Sequence, residues 1–237
     1  MDGERAGWPA SADELVELQE RIAAAATTAP SWSPPRGLLV AGVFVTFPTG
    51  AGGPGHAGDA AWAAAASERD GEPVETVLVR GSAGAPYRAG LLALREGALL
   101  EAAVRALVRR PELVLVDATG RDHPRRAGLA LHLGAVLELA TIGVTNRALA
   151  ATAAAPGDER GASAPLLLGG ETVGYAVRTR AGTNPLLAHA GWRTTPEQAR
   201  DLLLALTPRW RTPQPLRGAR TLSRVARAAD EGRAPGS

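Results

Sequence analysis

Four groups of residues have the types and spacing for chemistry. Asp117 closes the apolar run Leu113-Val114-Leu115-Val116 and is followed by a loop containing Gly120. That places a carboxylate beyond the carboxyl end of a buried strand, where open α/β sheets hold ligands. The position equally suits a solvated strand-end residue or a helix N-cap. His123-Pro124-Arg125-Arg126 follows it, directly before an apolar helical pattern. Two guanidiniums at a helix N-terminus oppose the macrodipole unless an anion such as phosphate lies beside them. In an Arg-rich chain the same residues also suit a surface loop. Glu96 sits between Leu94 and Leu99 in an apolar helical pattern, next to Arg95. By itself it reads as a partly exposed helix carboxylate paired with a neighbour. Pro86-Tyr87, just before that helix, offers an aromatic face for stacking a base, or a loop Tyr that packs on the core.

Composition removes several other chemistries. All 26 basic residues are Arg, so no ammonium group is present for a Schiff base, a Lys general base or a Walker-type phosphate contact. The chain has no Cys, which excludes disulfide scaffolds, zinc ribbons and thiol nucleophiles. Apolar residues at 45% and charged residues at 21% indicate a globular chain. No apolar run reaches the roughly 18–20 residues of a membrane span, and no apolar signal core opens the chain, so a cytoplasmic location is expected. The formal charge of +2 does not by itself mark a nucleic-acid binder.

The elements that must position these residues follow from periodicity and capping. With 237 residues a single domain is expected: a loose leader over 1–11, a domain over 12–227 and a disordered tail over 228–237. Ser11 and Glu14 form a capping box for a helix over 12–26. The run 38–47 reads as a buried central strand, 60–67 suits helix or strand, and 74–80 completes a meander. Helices over 90–108 and 126–137 alternate with strands over 113–117 and 141–144, which implies a parallel portion. Gly169-Gly170 marks a hairpin, and Thr195, Pro196 and Gln198 start a further helix. Arg217, Arg220, Arg224 and Arg227 recur at helical spacing as one basic face.

In combination these segments resemble the endonuclease V family. The likeness is carried by Val40-Ala41-Gly42-Val43, Pro86-Tyr87, Leu94-Arg95-Glu96 and Leu115-Val116-Asp117. It continues through His123-Pro124-Arg125-Arg126-Ala127-Gly128-Leu129-Ala130, His132-Leu133-Gly134 and Thr141-Ile142-Gly143-Val144. Arg178-Thr179-Arg180-Ala181-Gly182 and Ala205-Leu206-Thr207-Pro208-Arg209 complete it. The resemblance implies an RNase H-like α/β fold, a mixed sheet flanked by helices, with a divalent-metal site on the central strands. It implies cleavage of DNA or RNA near deaminated purines, chiefly hypoxanthine. It assigns Glu96 and Asp117 to catalysis and metal, and Tyr87, His123, Arg125, Arg126 and Gly143 to nucleic-acid contact.

Three positions depart from the family pattern. Phe44 stands where V-A-G-V-D-V places an Asp, Asn146 where a Lys follows Ile-Gly-Val-Ala, and Trp192 where a Gly-His-Arg triplet places a His. A Phe offers no lone pair to Mg²⁺, a hard ion that takes oxygen ligands in near-octahedral geometry. Thr46 shares the face of Phe44 but carries no charge. His189 lies an odd number of residues from Trp192 and faces the other side of an extended strand. The sequence therefore reads as an endonuclease V-like, monomeric protein that binds DNA or RNA, with Mg²⁺ binding weak or absent and hydrolysis lost or strongly impaired. An active Mg²⁺-dependent endonuclease rebuilt around Glu96 and Asp117, and a structural relic or protein-interaction module, are the alternatives.

Overall fold

The β-branched, apolar stretch Leu39–Thr46 forms β1 near the middle of an eight-stranded sheet. The structure is a computed structural model that describes residues 7–50 and 53–232. Strands β2 (Ala60–Arg69) and β3 (Glu72–Ser82) return antiparallel to one side of β1. On the other side β4 (Leu113–Val116) and β5 (Ala140–Thr145) run parallel to it. Strands β6 (Ser163–Leu168), β7 (Glu171–Val177) and β8 (Leu186–Ala190) complete the order β3-β2-β1-β4-β5-β8-β7-β6. The 60–67 segment is thus a strand. Its alanines are nearly all buried and small enough for helices to pack closely on both faces.

Helices α1 (Ala12–Thr28), α2 (Leu92–Arg105) and α3 (Leu129–Leu137) share a core with Val43, Val114 and Val116 on one face of the sheet. On the other face α4 (Pro196–Ala205) and α5 (Gln214–Asp230) close a core around Val40, Leu113, Leu115 and Leu216. The approach of α5 is tight: a Cβ on Gly42 would stand 2.4 Å from the backbone of Pro215 and Leu216. Gly169 and Gly170, both at positive φ, make the β6–β7 hairpin as read from the sequence. Thr195 and Gln198 form the capping box expected of α4.

Three expectations are corrected. The segment before α1 is packed at Trp8, whose indole stacks on His132 at 4.5 Å and donates to Glu101; residues 1–6 lie outside the described chain. Helix α5 continues past residue 227 to Asp230, because that carboxylate accepts from the Trp62 indole and pairs with Arg80; residues 233–237 of the expected tail lie outside the described chain. Helix α3 starts three residues late, at Leu129 with Gly128 as its N-cap, because Arg126 takes a left-handed conformation at φ +58°. Among the described residues no helix is long and apolar enough to cross a membrane.

Candidate functional site

Since β1, β4 and β5 are parallel, their carboxyl ends open on one end of the sheet. Val43 pairs with Val116, so Phe44 and Asp117 follow side by side. Alternation sends Phe44 toward α5, where it packs with Ala64, Ala66 and Ala219. Helix α5 meets these ends with its arginines. The Arg220 Nη2 donates to Asp117 Oδ2 at 2.8 Å, with both side chains about a quarter exposed (27% and 25%). The Arg220 and Arg224 guanidiniums lie 5.3 and 5.6 Å from the Phe44 ring centre, within cation–π range. Arg227 donates to Thr46 Oγ1 at 3.0 Å, and Arg217 stacks on the Trp210 ring at 4.2 Å. The stripe expected as one outward basic face is therefore mostly spent on the strand ends, and Arg224 keeps the greatest exposure.

Glu96 projects from α2 near enough to Asp117 for the two charges to oppose one another. It keeps partial contact with solvent, yet burial pushes its carboxyl up to about 8, assisted by Asp117 and opposed by Arg95. Among the described residues no three acidic, His or Cys side chains gather where they could hold a metal. The Asp117 carboxylate is engaged by Arg220, and Phe44 supplies no donor. This set does not fit a divalent ion that takes about six oxygen ligands.

Beside Asp117 lies a cavity of about 320 Å³, lined by Tyr87, Gly90, His123, Gly128, Thr145 and Leu149 among others. Tyr87 is half-exposed there. His123 is buried in its wall: Nε2 donates to the Gly90 carbonyl at 3.0 Å and Nδ1 accepts from the Arg125 amide at 3.1 Å. Burial lowers its pKa, so the ring is neutral and its nitrogens are used internally. Neither ring nitrogen is free for the nucleic-acid contact that the resemblance implies. Arg125 is likewise held by Gln19 Oε1 and the Gly90 carbonyl, and Arg126 by the Leu168 carbonyl and Glu171. Both precede α3 rather than capping it. Gly143 is buried and its role is steric, since a Cβ there would meet the Ala118 carbonyl at 2.2 Å.

The remaining family positions separate. The Asn146 Oδ1 accepts from Arg211 Nη2 at 2.8 Å, and Arg211 also donates to the Asn184 and Pro185 carbonyls. Burial lowers the Arg211 pKa, and so does the charge of Arg220. Trp192 lies at the opposite end of the sheet, bonded through its backbone to Thr141 and packed against Ile22, Ala26 and Leu131. It belongs to the α1–α3 packing and not to the Asp117 end. His189, opposite Gly143, points into a buried cluster. Thr145 Oγ1 gives its proton to the Arg147 carbonyl, so His189 Nε2 donates to that oxygen, leaving Nδ1 3.6 Å from Asp122. Asp122 accepts three backbone amides, from Leu149, Ala150 and Ala151, and so fixes the loop beside the cavity. The sequence reading missed Arg211, in a loop flanked by Pro208 and Pro213, and the inward role of Arg220. The stripe was visible, but its partner across the fold was not.

A mixed sheet with parallel central strands, helices on both faces and a carboxylate beyond the strand ends is the RNase H-like class of α/β fold. The Endonuclease V family model matches residues 18–221, and the chain belongs to that family. An endonuclease V of Nocardia farcinica is 38% identical over 224 residues, covering 94% of this chain and 96% of that protein. The crystal structure of endonuclease V from Streptomyces avermitilis superimposes with a TM-score of 0.81 at 36% identity, covering 96% of each chain. The fold is shared with Ciona intestinalis endonuclease V, solved in complex with a DNA containing an inosine followed by a ribo-adenosine. That match has a TM-score of 0.74 at 20% identity and covers 90% of this chain and 96% of that one.

Proposed function

We propose that this chain is a nucleic-acid-binding member of the endonuclease V family in which Mg²⁺-dependent hydrolysis is lost or strongly impaired. The observation that carries this reading is the Phe44 ring beside Asp117, where the family pattern has a metal-binding Asp. Metal-assisted hydrolysis needs an ion to stabilise charge on the phosphate and to activate water. Asp117 and Glu96 alone are too few ligands to hold one, and Asp117 is already paired. Binding is supported by the cavity beside Asp117, the half-exposed Tyr87 at its wall and the guanidiniums of α5. A flipped purine such as hypoxanthine is the candidate occupant, with Tyr87 as its stacking or wedging partner.

The test is an electrophoretic assay with an oligonucleotide containing one hypoxanthine base, run with millimolar Mg²⁺. A salt-sensitive shift with the strand intact is the expected result. Nicking near the lesion would return the chain to the active nucleases, and absence of any shift would leave it a structural relic.

A further inference from the structure

We propose that Arg220 is a built-in cation: its guanidinium meets Asp117 in place of a divalent ion, so the chain engages nucleic acid without metal. The proposal rests on the nucleic-acid-binding reading above and deepens it.

Four observations carry it. The pair is direct, at 2.8 Å, and engages one oxygen of the carboxylate that a metal would need. The guanidinium is held in place by its helix. Helix α5 seats against Gly42 at backbone contact, Ser223 Oγ donates to the Trp62 carbonyl at 2.7 Å, and Asp230 is fastened by Trp62 and Arg80. An ion entering the site would have to displace a preorganised partner. Phe44 complements Arg220: the ring that gives a metal nothing offers its π face to two guanidiniums. Finally, the local charge is already positive. Arg220 meets the Asp117 carboxylate, Arg224 shares the Phe44 ring with it, and Arg211 lies near enough to Arg220 to feel its charge. That field repels Mg²⁺ and attracts a phosphodiester.

The test compares the full-length chain with Arg220→Gln, Asp117→Asn and Phe44→Asp/Arg220→Gln. Binding of the hypoxanthine oligonucleotide is followed by anisotropy in chelator and in millimolar Mg²⁺, and melting temperature is recorded in both. The wild type should bind equally in the two buffers, and Mg²⁺ should not move its melting temperature. Arg220→Gln should bind about tenfold more weakly in chelator, the size of one lost charge-assisted contact. Asp117→Asn, which releases the guanidinium, should bind at least as tightly as the wild type. Phe44→Asp/Arg220→Gln should gain a melting temperature that rises with Mg²⁺. Wild-type binding that collapses in chelator would overturn the proposal, as would a wild-type melting temperature that rises with Mg²⁺. If the wild type binds no oligonucleotide in either buffer, the functional reading fails. The melting data then decide only whether Arg220 stands in for the ion at Asp117: a Mg²⁺ response confined to the double variant upholds that part, and any other pattern overturns it.

Discussion

Exchange of Glu96 for Gln isolates the largest upward carboxyl shift near the site. Burial pushes the Glu96 carboxyl from 4.5 to about 8, so the folded chain keeps a proton that the unfolded chain releases. Between those values the unfolded state binds fewer protons, and stability falls as pH rises, by ~1.4 kcal/mol per pH unit. Glu68, also raised by burial, acts in the same sense. Burial has the opposite effect on three imidazoles. His132 is lowered to about 4, and His123 and His189 are lowered as well. Below the ordinary 6.5 the unfolded imidazoles take up protons that the folded ones refuse, so stability rises with pH through that acid range. The imidazole gain ends near the ordinary 6.5, whereas the Glu96 loss continues to about 8, so stability declines above pH 6.5. Above it the Glu96 contribution removes roughly 2 kcal/mol by pH 8. Urea denaturation at a series of pH values reads this directly. Glu96→Gln should flatten most of the alkaline decline and steepen the rise between pH 4.5 and 6.5, where the Glu96 loss opposes the imidazole gain. Wild-type stability that is flat or rising from pH 6.5 to 8, or a variant that declines in parallel, refutes the reasoning.

Other substitutions probe the supports of the site. Asp122→Ala strips the acceptor from three backbone amides, and at ~1–3 kcal/mol per orphaned group the net loss should be about 4 kcal/mol. A thermal melt should register that as a fall of roughly 10 °C; a change within a degree or two would show that the loop does not depend on this carboxylate. Trp8→Ala removes the ring stacked on His132 and should raise the His132 pKa from about 4, as followed by NMR titration. An unmoved pKa would place the source of that shift elsewhere. Arg224→Ala, which removes the most exposed guanidinium of the stripe, should reduce the salt slope of nucleic-acid binding by about one unit. Arg217→Ala, already stacked on Trp210, should change it less.

The parts of the fold legible in the sequence were those specified locally. The capping residues of α1 and α4, the double glycine of the β6–β7 hairpin and the apolar runs of β1, β4 and β5 each act within a few residues. Asp117 was found because a strand-end carboxylate is a local pattern, and Phe44 because it interrupts a family motif. Apart from the start of α3, set locally by the left-handed Arg126, the misreadings involve partners far apart in sequence. Trp192 matches a family triplet, yet the antiparallel register of β8 carries it to the far end of β5. Arg125, Arg126 and His123 are basic and precede a helix, but each is hydrogen-bonded within the fold, to Gln19, Gly90 or Leu168. The salt bridge from Arg220 to Asp117 spans 103 residues, and no periodicity encodes it.

The central claim is that the fold retains a nucleic-acid site without its hydrolytic function. A single-turnover cleavage experiment tests it most directly, with protein in large excess over a hypoxanthine-containing oligonucleotide in millimolar Mg²⁺ or Mn²⁺. Excess protein keeps every strand bound, so weak affinity does not hide the chemical step. The account predicts bound strands that stay intact at the background rate of the buffer. Metal-dependent cleavage that is well above that background and lost in chelator would contradict it.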